Sequence, residues 1–104
     1  MRFGLDQATF KRILAVFESY PKVDRVIIYG SRAKGSFRKG SDIDLTLIGE
    51  NLTEATLSSI KLALDDLNTP YLFDVSIFDH LQSPDLEEHI ARAGRVFYQK
   101  KKSN

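Results

Sequence analysis

The sequence predicts an α/β (α+β) domain built on a small sheet, and three observations predict it. Two long stretches carry apolar residues at helical spacing, one near the start and one past the middle. Short runs rich in β-branched and aromatic residues separate them. The inferred order is αβ(α)βαβαβ, which layers helices against one sheet.

Asp6 can cap a helix over residues 7–20, in which Phe10, Ile13, Leu14 and Phe17 form one apolar stripe with Val16 at its margin. Pro21 stops it. Residues 25–29, Arg-Val-Ile-Ile-Tyr, read as a strand, nearly continuous in apolar character and therefore expected to be covered on both faces. Gly30 breaks the strand, and one helical turn from Ser31 to Lys34 ends at Gly35. Residues 42–48 alternate, with Asp42, Asp44 and Thr46 on one face and Ile43, Leu45 and Leu47 on the other. Residues 53–67 form a helix with Leu57, Ile60, Leu64 and Leu67 inward, ended by Asn68-Thr69-Pro70. A third strand covers 71–78 and carries Asp74. Ser83, Pro84 and Asp85 open a helix that Gly94 stops, and 96–98 add a last short strand. Residues 100–104 read as a frayed tail.

The 104 residues suit a single domain, 42% of them hydrophobic, so a core can form. A formal net charge of +1 gives no reason to expect direct nucleic-acid binding. Cysteine is absent, which excludes disulfides and thiolate metal sites and suits a reducing cytoplasm. No signal-peptide core and no run of about 20 apolar residues appears, so neither secretion nor membrane insertion is expected.

The chemistry concentrates in residues 30–45, Gly-Ser-Arg-Ala-Lys-Gly-Ser-Phe-Arg-Lys-Gly-Ser-Asp-Ile-Asp-Leu. Asp42 and Asp44, two apart on a strand, have Cα atoms about 6.6 Å apart on one face and can share one or two hard cations. Asp74 is the candidate third carboxylate; flanked by Phe73, Val75 and Ile77, its charge is expected in an apolar setting. Gly30 lets backbone approach an anion, and Ser31 adds a hydroxyl donor. Alone, Gly-Ser is an ordinary turn. Joined to Asp-x-Asp at fixed spacing, it would match by chance at roughly 10⁻⁵ per start. Arg32, Lys34, Arg38 and Lys39 can neutralise phosphates, though a solvated basic loop explains Arg38 and Lys39 as well. Phe37 is expected to anchor its loop to the core. His80 and His89 lack metal-ligand spacing.

Gly30 to Leu45, with Asp74 in Leu72-Phe73-Asp74-Val75, resembles the minimal nucleotidyltransferase (MNT-domain) family of the polymerase-β-like superfamily. The resemblance implies a small mixed sheet flanked by helices, two Mg²⁺ ions (Mn²⁺ being the alternative) on Asp42, Asp44 and Asp74, and transfer of AMP from ATP. It further implies an antitoxin that modifies a tyrosine of a HEPN-domain ribonuclease toxin. Larger relatives carry an added helical domain for base and acceptor, so a protein partner is expected to supply the acceptor pocket. The competing reading is a non-catalytic antitoxin that neutralises by binding and occlusion. A two-metal nuclease would not need Gly-Ser at this spacing.

Overall fold

The computed structural model describes residues 2–38 and 40–101. Lys39 and the end of the expected tail, 102–104, lie outside the described residues. Helix α1 spans Gln7–Glu18, capped by the Asp6 carboxylate, which accepts from the Thr9 N–H. Strand β1 is Arg25–Tyr29, the single turn α2 is Ser31–Lys34, and β2 is Ile43–Ile48. Helix α3, Glu54–Asp65, is capped by Thr53. Strand β3, Phe73–Ile77, leads through a 3-10 turn at Phe78–His80 to α4, Pro84–Ala93, and β4, Arg95–Gln99. The long helices and outer strands are each a little shorter or longer than the periodicity suggests, as fraying ends commonly are.

The sheet order is β3-β2-β1-β4. Strand β1 is antiparallel to both β2 and β4, while β2 and β3 are parallel. A parallel pair needs a crossover, and α3 supplies it. Val26, Ile28, Ile43, Leu45, Leu47, Val75 and Ile77 form one buried face of the sheet. Phe10, Ile13 and Phe17 of α1 and Leu57, Ile60 and Leu64 of α3 complete that core. Packing at these sites follows the apolar spacing of both helices.

The opposite face is less covered. Ile27 and Tyr29 are half-buried, so β1 is not enclosed equally on both sides, as its apolar run suggested. Helix α4 covers part of this face: a Cβ placed on Gly94 at its end would lie 2.5 Å from Ile27 Cγ2. Gly94 has φ −71°, ordinary backbone for any residue, so close approach explains this glycine. On this face Asp74 is exposed and Asp44 half-buried, while Thr46 is fully buried.

Candidate active site

Strand alternation places Asp44 on the open face, and the sheet brings its neighbours to it. Asp44 is directly opposite Tyr29 on β1 and directly opposite Asp74 on β3. The parity that sends Leu45 and Leu47 into the core therefore sends Asp44, Asp74 and Tyr29 outward together. One row along, Thr46 faces Ser76, whose hydroxyl donates to Thr46 Oγ1 at 3.0 Å. That bond ties the two parallel strands beside the carboxylate pair.

Neighbouring charges act on Asp44 and Tyr29. Burial first, then Asp74 and Asp42, push the Asp44 carboxyl above the ordinary carboxylate range. Burial, then Asp74 and Asp44, also push the Tyr29 phenol up, with Ser76 acting in the other direction. Tyr29 is the site residue that sequence reasoning missed. Its side chain reads as one more apolar strand position, and only the cross-strand register places it beside Asp44.

Asp74 departs from expectation. It is exposed, whereas Val75 and Ile77 are buried on the other face. Alternation separates it from the very residues that flank it in sequence, so the apolar setting expected for its charge is not found.

The Gly-Ser turn adjoins the carboxylates. Gly30 has φ 78° and ψ −154°, a conformation that L side chains rarely adopt. A Cβ there would lie 2.5 Å from Asp44 Oδ2. The missing side chain thus leaves space between the turn and the carboxylate. Ser31 is half-buried at the start of α2, and Lys34 is exposed at its end.

Arg32 is placed differently from its neighbours. It is 3% exposed, and its guanidinium donates to the backbone carbonyls of Ser41 and Phe3. Its guanidinium donors are thus engaged with backbone of two other segments rather than turned to solvent. Phe37 is half-buried with the Arg32 guanidinium over its ring, so it anchors the loop as expected. Arg38 is exposed and turns the chain, its N–H donating to Ser41 Oγ at 2.8 Å. His80 bonds Glu54 at 3.0 Å, and His89 is half-buried in α4.

Among the described residues, no three His, Cys, Asp or Glu side chains are gathered closely enough to hold an ion by themselves. Asp44 and Asp74 are paired in register, and Asp42 lies exposed just before β2. The donor chemistry still fits a hard divalent cation. Asp42, Asp44 and Asp74 offer only oxygens, and the ion pairs among the described residues, His80–Glu54 and Arg92–Glu88, involve none of them. Mg²⁺ commonly takes one or two carboxylates and completes its shell with phosphate oxygens and water.

A sequence model of the family described as polymerase beta, nucleotidyltransferase, matches residues 11–103. The chain belongs to this family. The chain is similar in fold to a solved toxin–antitoxin structure with AMP-PNP, at a TM-score of 0.70 and 17% identity, covering 93% of this chain and 76% of that one. It is also similar to the toxin–antitoxin MntA-HepT, at a TM-score of 0.67 and 15% identity, covering 91% and 74%. At these identities the likeness concerns the fold, and the fold is the polymerase-β-like nucleotidyltransferase fold. A search of curated proteins finds no match. The polymerase-β-like superfamily to which Gly30-Ser31 and Asp42-x-Asp44 point is the one that the family model returns.

Proposed function

We propose that this nucleotidyltransferase-family chain is a Mg²⁺-dependent enzyme that transfers AMP from ATP to a hydroxyl, a tyrosine on a HEPN-type toxin, and so acts as an antitoxin. The observation that carries this reading is the Gly30 backbone lying against the Asp44 carboxylate, with Asp74 in register beside it. Phosphate held at the turn would lie next to the carboxylates. The toxin–antitoxin neighbours, one of them with AMP-PNP, support both the partner and the nucleotide.

Asp42, Asp44 and Asp74 would hold the cations. Bound Mg²⁺ would supply charge neutralisation for the attacking and leaving oxygens of an in-line displacement. Gly30 admits the triphosphate without steric conflict, Ser31 offers a hydroxyl donor, and Lys34 offers a mobile cation at the exposed end of α2. Asp74 stands at the exposed side of the pair, where an acceptor hydroxyl arrives, and accepts its proton. The hydroxyl oxygen bonds the α-phosphorus, the bond to the bridging oxygen breaks, and pyrophosphate leaves. Tyr29, neutral and half-buried, forms the floor beside Asp44. The reading implies a cytoplasmic setting, where ATP is available.

The test is mass spectrometry of the partner toxin after incubation with this chain, ATP and Mg²⁺. An AMP adduct on tyrosine is expected, and Asp74→Asn should lose the adduct while still forming the complex. Full neutralisation of the toxin by the Asp42→Asn/Asp44→Asn double variant, with no adduct from the wild type, would replace this reading with occlusion.

A further inference from the structure

Arg32 is the one buried charged residue among those described. A buried cation is costly unless its donors are satisfied, and here they are used on backbone from two distant segments. Nε and Nη2 donate to the Ser41 carbonyl at 3.1 and 2.8 Å. Nη1 donates to the Phe3 carbonyl at 2.9 Å. The guanidinium carbon also lies 5.0 Å from the Phe37 ring centroid and 4.8 Å from that of Tyr71. A planar fork suits this arrangement: two donors grip one carbonyl while the guanidinium lies over two aromatic rings.

These partners lie at structurally informative places. Ser41 is the residue before Asp42, and Tyr71 is two residues before β3 begins. The Ile43 N–H donates to the Leu72 carbonyl at 2.9 Å, so the entries to β2 and β3 run side by side. Arg32 itself follows Ser31. One side chain thus links the Gly-Ser turn to the segments that deliver Asp42 and Asp74.

We infer that Arg32 is a positioning residue for the carboxylate site: it sets where Asp42 and the entry to β3 lie relative to Gly30 and Ser31, and binds no phosphate itself. The inference rests on reading the carboxylates as the metal site of nucleotidyl transfer. It separates cleanly from a phosphate-binding role, because lysine preserves charge but cannot grip Ser41 with two parallel donors.

The experiment compares wild type, Arg32→Lys and Tyr71→Leu. Mn²⁺ is titrated alone by electron paramagnetic resonance, and ATP is titrated without metal by calorimetry. Arg32→Lys is expected to weaken Mn²⁺ binding by about tenfold or more, the scale at which residues supporting metal ligands act. Metal-free ATP binding should be unchanged. Weaker metal-free ATP binding with wild-type Mn²⁺ affinity would overturn the inference and make Arg32 a phosphate ligand. Tyr71→Leu leaves the hydrogen bonds in place and loosens the guanidinium; it should weaken Mn²⁺ binding in the same direction, and it decides the question if Arg32→Lys fails to fold. Wild-type Mn²⁺ affinity in Tyr71→Leu would then overturn the inference. Amide exchange at Ile43 is read in the same samples and needs no ligand. It should quicken in Arg32→Lys relative to Ile28 of the core, and unchanged exchange overturns the inference. A wild type that binds neither Mn²⁺ nor ATP would defeat the nucleotidyltransferase reading, and the Ile43 exchange would still judge Arg32.

Discussion

Asp44 holds a charge that the folded chain disfavours. Burial and the charges of Asp74 and Asp42 raise its pKa above the unfolded value. A raised folded pKa means that the native state holds its proton more tightly. Stability from this group is therefore present below the unfolded pKa, near 3.9, and is lost as pH rises through the folded pKa. At neutral pH and without metal, Asp44→Asn should raise the melting temperature. The carboxylate is partly exposed, so screening limits the gain to about 1 kcal/mol or less, some degrees in a domain of this size. The gain should fade as pH falls below the ordinary carboxylate range, because the wild-type side chain is then protonated too. Melting curves at pH 7 and pH 3.5 in chelator check both statements; equal melting temperatures for the two proteins at pH 7 would contradict the charge assignment.

Among the elements, α4 illustrates how the open face is bounded. Its start is local chemistry: Ser83 accepts from the Leu86 N–H at 3.3 Å, and Pro84 follows. Its end is set by contact with the sheet. A Cβ on Gly94 would lie 2.5 Å from both Ile27 Cγ2 and the Ile90 carbonyl oxygen. Gly94→Ala should force α4 away from β1 at a cost of about 1–3 kcal/mol, the usual range for overpacking. A lowered urea midpoint with unchanged slope is the expected result. Because Ile27 lies one row from Tyr29, the same variant should also disturb the site's floor.

For the molecule as a whole, the strand register sets Asp74 opposite Asp44, with Asp42 just before β2, in a chain whose net charge is only +1. Burial and the charges of Asp74 and Asp42 disfavour the ionised Asp44, and a divalent cation bound there would relieve this. Ligand that binds only the folded state stabilises by about 2.7 kcal/mol at a hundred times its dissociation constant. Mg²⁺ or Mn²⁺, more so with ATP, should therefore raise the melting temperature of the wild type. The Asp42→Asn/Asp44→Asn double variant should show no such rise, and an undiminished rise would remove the metal from these residues. No helix among the described residues is long and apolar enough to cross a membrane.

The local pattern by itself determined much of this protein. Apolar spacing marked α1 and α3, cap residues Asp6 and Ser83 marked helix starts, and alternation told which way Asp44 and Thr46 face. The Gly-Ser and Asp-x-Asp spacing was enough to point to the family, because these residues are close in sequence and their geometry is set by one strand and one turn. Tertiary structure alone decided the rest. The register of β2 against β3 placed Asp74 opposite Asp44, antiparallel pairing brought in Tyr29, and distant carbonyls drew Arg32 inward. Sequence periodicity has a range of one element, whereas register and the burial of a long polar side chain depend on pairings between segments tens of residues apart. A residue's type therefore revealed what Arg32 could bind, and only the folded chain showed which partners reach it first.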